Sequence, residues 1–131
     1  MKTILYVEDN AVVVAAYRAV LMREGFNVIV AGDGLEAMKA LATGTFDIVL
    51  LDLMMPKING TDVLKYIRST PKLKALPVIV LSDGTMADVA TIALNLGVQG
   101  TLLKSQCNPK ILVDTLKTVL GLPESPAPGA N

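Results

Sequence analysis

Five short runs of β-branched and large apolar residues recur along the chain: TILYV at 3–7, NVIVA at 27–31, DIVLL at 47–51, PVIVL at 77–81 and GTLL at 100–103. Each is almost continuously hydrophobic, the pattern of a strand covered on both faces. Between them lie segments of helical length and composition, at about 10–24, 33–43, 60–69, 86–96 and 109–120. Glycines suited to a left-handed cap close four of these segments: Gly25, Gly44, Gly97 and Gly121. The last segment opens with Asn108-Pro109, a capping side chain followed by a proline at the first helical position. Strict alternation of strand and helix predicts an α/β three-layer sandwich, with an open five-stranded parallel sheet, right-handed crossovers and five helices on its two faces.

At 131 residues and 52% hydrophobic, the chain has enough apolar material for one core, so one domain is expected over residues 1–121. The end of the chain, LPESPAPGAN at 122–131, has three prolines and no apolar periodicity, and reads as a disordered tail or linker. Formal charge is zero, with 12 basic and 12 acidic residues, which argues against direct nucleic-acid binding. The local basic group Lys65, Arg68, Lys72 and Lys74 reads as a solvated face.

Met1-Lys2-Thr3 passes straight into the first apolar run, so no secretion signal is expected. The longest nearly apolar stretch, Ala11 to Met22, contains Arg18 and falls short of the roughly 20 residues a membrane-spanning helix needs. A cytoplasmic protein without membrane insertion is the expectation, and a lone cysteine, Cys107, agrees with a reducing compartment. With no histidine in the chain to activate it, Cys107 reads as an inert thiol in a loop. The Ala11–Met22 stretch lacks a polar face, so some of Val12, Val13, Val14, Ala15, Ala19 and Met22 must point outward.

In open α/β sheets ligands bind beyond the carboxyl ends of the strands, where the strand order reverses. Directly after the apolar runs come Glu8 and Asp9, Asp52, Ser82 and Asp83, and Lys104. Any one of these could be a loop-entry or capping residue, but that account explains the whole set poorly. Glu8, Asp9 and Asp52 would crowd three carboxylates into one cleft, a conflict that a hard divalent cation resolves. Magnesium suits such a site, because it takes one or two carboxylates, keeps several waters and leaves room for a phosphate oxygen. Zinc and copper do not suit it, for want of histidine and of more than one cysteine. Lys104 and Ser82 are the donors wanted around a phosphoryl oxygen, and Asp52 could be the nucleophile that receives the group as an acyl phosphate.

The set VEDN (7–10), DIVLLDLMMPKING (47–60), VLS (80–82) and LLK (102–104) resembles the receiver domain of bacterial response regulators in two-component signalling. The likeness covers about residues 2–120. It implies a flavodoxin-like sheet in the order 2-1-3-4-5. It also implies that Asp52 is the phosphoacceptor and that Asp9 binds magnesium, with Glu8 acting directly or through water. The backbone carbonyl of Met54 would complete the protein ligands, Ser82 would bond a phosphoryl oxygen and Lys104 would pair with its charge. Pro56 would shape the loop after the acceptor, and Gly60 would supply the turn into the third helix. The partners implied are a histidine kinase or a histidine phosphotransfer protein and an output protein or domain of unknown kind, with a homodimer left open. Such a domain is a signalling module rather than an enzyme, although it catalyses its own phosphorylation and dephosphorylation.

Three positions depart from the family pattern. Thr101 stands three residues before the lysine, where many receivers carry a tyrosine or phenylalanine whose inward turn reports phosphorylation. Ser105 follows the lysine in place of a cis-proline; a cis bond before serine costs about 3–4 kcal/mol, so a trans peptide and a rebuilt loop are expected. Asp83 occupies a place usually held by a small residue, while Thr85 and Asp88 already fit a capping box for the helix that follows. A carboxylate there that faces the pocket would repel a phosphoryl group. These departures leave a second reading open, a pseudo-receiver that works as an interaction module without phosphorylation. An aspartyl phosphatase of the haloacid dehalogenase type is disfavoured, because that family needs a second aspartate where Met54 stands.

Overall fold

The structure is a computed structural model, described here for residues 1–53, 55, 59–82, 91 and 95–123. Five parallel strands, β1 (Thr3–Val7), β2 (Asn27–Ala31), β3 (Ile48–Asp52), β4 (Val78–Ser82) and β5 (Gly100–Leu103), form one sheet in the order β2-β1-β3-β4-β5. The helices bounded within the described residues are α1 (Ala11–Arg23), α2 (Gly34–Thr43), α3 (Gly60–Ser69) and α4 (Pro109–Leu120). Thr91 and Asn95 are helical as well, and the rest of the expected 86–96 helix lies outside the described residues, as does the Thr85–Asp88 capping box. The three-layer architecture expected from the strand–helix alternation is observed, and so is the flavodoxin-like strand order implied by the resemblance.

Strand pleating sends alternate side chains to opposite faces, which splits the core in two. Leu5, Val7, Val49, Leu51, Val78 and Val80 meet α2 and α3 through Leu41, Leu64 and Ile67. Ile4, Tyr6, Leu50, Ile79 and Leu81 meet α1 and α4 through Leu21, Leu112 and Leu116. Continuous hydrophobicity matches burial on both faces in β3 and β4 and nearly throughout β1. It does not in the edge strands: Ile29 and Val30 of β2 and Leu103 of β5 are exposed, because an edge strand has a neighbour on one side only.

β3 and β4 each begin one residue later than the hydrophobic runs suggest. Asp47 instead accepts a hydrogen bond from the backbone of Thr3 at 2.7 Å and pins the start of β1, while Pro77 offers the ladder only its carbonyl, which Val49 reaches at 3.0 Å. Gly25, Gly97 and Gly121 take the left-handed conformation expected of them. Gly44 does not; its backbone is extended (φ −116°), and a side chain there would press on the Ala40 carbonyl and the Phe46 ring at 3.2 Å. At the end of α4 the Gly121 and Leu122 amides return to the carbonyls of Lys117 and Thr118, and Leu122 packs on the core, so this residue belongs to the folded body rather than to a tail.

On α1 only Leu21 is fully buried; Val12 is 80% and Met22 52% exposed, the outward apolar surface expected from the missing polar face. The basic group of α3 and its exit loop is not uniformly solvated. Arg68 turns its guanidinium onto main-chain carbonyls, those of Leu76 at 2.8 Å, Lys74 at 3.2 Å, Leu96 at 3.2 Å and Gly97 at 2.6 Å. It thereby ties α3 to the turns that lead into β4 and β5. Arg68→Ala should lower stability by about 2 kcal/mol, and Arg68→Lys should recover only part of that, because one ammonium cannot reproduce the planar fork. Urea midpoints of the three proteins check this.

Candidate functional site

The carboxyl ends of β1, β3, β4 and β5 bring the polar set together. Register places Asp52 opposite Leu81 and Ser82 opposite Leu103 on adjacent strands. Asp52 is completely buried, and Glu8 and Ser82 are each 2% exposed, whereas Asp9 lies at the surface. Lys104 Nζ sits 2.9 Å from Asp52 Oδ2 and 3.4 Å from Glu8 Oε1, bridging the two buried carboxylates. Oxygens of Glu8, Asp9 and Asp52 all lie within 4.8 Å of one another. The trio expected from the sequence is therefore assembled, with Lys104 beside it. Met54 and Asp83 lie outside the described residues, so the Met54 carbonyl and the direction of the Asp83 carboxylate do too, as does Pro56.

Local structure explains how these groups are aimed. The second oxygen of Glu8 accepts the amides of Asp9 (3.0 Å) and Asn10 (3.3 Å), which holds its side chain back over its own loop. Asn10 then caps α1, accepting from Val12 at 3.0 Å and Val13 at 3.1 Å, so the helix starts directly behind the acidic pair. Lys104 opens a short 3-10 turn, Lys104–Gln106. Its peptide to Ser105 is trans, as the serine requires, and no cis bond occurs among the described residues. Thr101 is exposed on the edge strand and fills no buried space.

Crowding of like charge shows in the proton affinities. Burial, then the hydrogen bond with and charge of Asp52, push the Glu8 carboxyl up to about 7, against the pull of Lys104. Burial works to lower the Lys104 ammonium, but Asp52 and Glu8 overcome it and hold it above the ordinary lysine value. A pocket that raises the proton affinity of one carboxylate is one cation short. Three hard oxygen donors within reach of one another fit a magnesium ion in chemistry and number.

Gly60 has a different reason from the turn assigned to it. Its φ is not left-handed; instead, a Cβ would fall 2.6 Å from Leu53 Cα and collide with the Asp52 carbonyl. Its amide donates to the Leu53 carbonyl at 3.2 Å. The start of α3 is thus laid directly on the backbone that carries Asp52. Sequence inspection also passed over Tyr6, a fully buried phenol whose hydroxyl has no hydrogen-bond partner among the described residues. The sign was a tyrosine inside the otherwise aliphatic run ILYV, one position short of the acidic pair by way of Val7.

A doubly wound parallel sheet with an acidic pocket at its carboxyl edge is the architecture of a flavodoxin-like signalling domain. The chain belongs to the response regulator receiver domain family, whose model matches residues 4–117. It is similar to the transcriptional regulatory protein CpxR of Escherichia coli, with 38% identity over 120 residues, 92% of this chain and 50% of that protein. The chain spans about half the length of this and other curated relatives that it matches. Among solved structures it resembles the chemotaxis response regulator CheY4 of Vibrio cholerae, with TM-score 0.83, 28% identity, and coverage of 91% of this chain and 98% of that one. It also resembles the receiver domain of a sensor histidine kinase from Pseudomonas aeruginosa that holds a magnesium ion in its active-site cleft. There the TM-score is 0.83 and identity 26%, over 92% of this chain and 98% of that one.

Gly60→Ala should be destabilising by about 1–3 kcal/mol, because the added methyl must displace the Asp52–Leu53 backbone. Thermal denaturation, with the amide shifts of residues 52 and 53 followed by NMR, checks both the loss and its location.

Proposed function

We propose that this chain is a phosphoacceptor receiver, with Asp52 taking a phosphoryl group from a histidine kinase or a histidine phosphotransfer protein. The observation that carries this reading is the fully buried Asp52 carboxylate, 2.9 Å from the Lys104 ammonium and grouped with Glu8 and Asp9. One Asp52 oxygen attacks the phosphorus; the new P–O bond makes an acyl phosphate while the bond from phosphorus to the donor nitrogen breaks and its electrons leave with the donor. Lys104 balances the phosphoryl charge, and Ser82 donates its hydroxyl to a phosphoryl oxygen. Glu8, Asp9 and Asp52, with the Met54 carbonyl, would hold magnesium, which when bound supplies charge neutralisation at the phosphoryl oxygens. The module acts as a signalling domain of the cytoplasm, receiving and losing the phosphoryl group and passing the signal on through protein contacts. It has no direct role on nucleic acid, and its output partner is a protein or a further domain.

The alternative, a pseudo-receiver that works without phosphorylation, draws on the exposed Thr101, which cannot fill the space of an aromatic switch residue. One experiment separates the two readings. With magnesium and acetyl phosphate, intact-protein mass spectrometry should show the gain of one phosphoryl group, and Asp52→Asn should abolish it. An unmodified wild-type protein, equally unresponsive to beryllofluoride by NMR, would establish the pseudo-receiver instead.

The outward apolar surface of α1 lies beside the site and suits docking of the phosphodonor protein. Val12, at 80% exposure, is the clean probe, since Val14 packs on the core. Val12→Asp should slow transfer from the cognate donor at least about tenfold, the effect of losing roughly 1.4 kcal/mol of docking, while labelling by acetyl phosphate keeps its rate. Equal slowing of both would place the defect in the site rather than in docking.

A further inference from the structure

A cavity of about 310 Å³ lies under the acidic site, on the α1–α4 side of the sheet. Tyr6 and Leu81 rise into it from the sheet, Val13 and Tyr17 close it from α1, and Leu112 closes it from α4. Glu8 and Lys104 stand on its rim, so it abuts the site above without being that site. Cys107 also lines it, in the loop that Tyr17 holds by donating its hydroxyl to the Cys107 carbonyl at 3.2 Å.

Two features of this partly open cavity point to a ligand. Its volume is at the lower end of the ~300–1,000 Å³ range of small-ligand pockets. Buried tyrosine hydroxyls nearly always have a hydrogen-bond partner, yet Tyr6, with none of its surface exposed, has none among the described residues. A phenol hydroxyl without a partner is a donor that lacks an acceptor. Tyr17 lines the same cavity, but its hydroxyl is already committed to Cys107, which leaves Tyr6 as the free donor of the pair.

We infer that this cavity is a binding site for a small, neutral, single-ring aromatic compound bearing a carbonyl oxygen, which accepts the Tyr6 hydroxyl hydrogen. The two tyrosine rings, Val13, Leu81 and Leu112 supply an apolar wall, and about 310 Å³ leaves room for one ring. A neutral compound suits this position, because the rim already carries charges of both signs, the Lys104 ammonium and the Glu8 carboxylate, and an added charge of either sign would be repelled by one of them. An acceptor is required rather than a donor, because a phenol with no partner gains most from an oxygen lone pair.

The probe is acetophenone, and its control is isopropylbenzene, which has nearly the same shape without the carbonyl. Both are titrated into the full chain and followed by ¹⁵N NMR, without magnesium or phosphodonor, so the outcome does not depend on the phosphoacceptor reading. Saturable shifts at Tyr6, Val13, Tyr17, Cys107 and Leu112 are expected, with acetophenone bound about 3–10-fold more tightly than the hydrocarbon, the worth of one hydrogen bond. Tyr6→Phe removes a hydroxyl that bonds nothing, so it should fold normally and bind the two compounds equally. Val13→Phe should fill the void and abolish binding of both, with the melting temperature reporting that the fold is intact. Acetophenone should also slow alkylation of Cys107 by iodoacetamide. Non-saturable shifts scattered over the surface, or equal binding of the two compounds by the wild-type protein, would overturn the inference. So would a carbonyl preference that survives in Tyr6→Phe.

Discussion

The Lys104 ammonium, wedged between Asp52 and Glu8, is the interaction on which the rest of the site depends. A fully buried carboxylate at the end of a central strand is tolerable only with a partner, and a second buried carboxylate next to it doubles the demand. One lysine meets it partially, which is why burial and the Asp52 charge still drive Glu8 to about 7. The pocket is therefore preset to gain from a further cation. The same electrostatic tension that weighs on the resting state makes the site receptive.

The scaffold is arranged to hold that tension in place. β1 and β3 are flanked on both sides by other strands, so Asp52 and Glu8 extend from the most rigid part of the sheet. α3 rests on the Asp52–Leu53 backbone through Gly60, and Asn10 begins α1 immediately behind Glu8 and Asp9. Farther away, Arg68 gathers the carbonyls of the turns entering β4 and β5, the strands that deliver Ser82 and Lys104. The support differs on the α1–α4 side, where packing is interrupted beneath the site by the cavity at Tyr6 and Tyr17. Asp52 thus has dense packing on one face of the sheet and an open volume on the other.

Much of this was legible along the chain. The apolar runs announced five parallel strands, and the polar residues that terminate them, Glu8, Asp9, Asp52, Ser82 and Lys104, mark the carboxyl edge of the sheet, three of them buried there. The capping pair Asn108-Pro109 and the glycines at 25, 97 and 121 behaved as their local chemistry requires. Such features depend on residues near one another in sequence, or on a fold rule that any alternating β-α chain obeys. Other features were hidden because they depend on partners distant in sequence. Nothing in KYIRST tells that Arg68 will meet carbonyls about thirty residues away, at Leu96 and Gly97, instead of water. Gly60 looked like a turn glycine, and its constraint is a contact with backbone across the loop.

The order and kind of elements, the acidic trio and the lysine that answers it were all set by local pattern, since hydrophobic period and strand-end polarity are properties of short stretches of chain. Which carboxylate is buried, that Lys104 spans two of them, and that Tyr6 is left without an acceptor beside an open volume came from packing. Burial and distance are set by how α1 and α4 settle on the sheet. These are quantities of the assembled molecule, and no single segment of the sequence contains them.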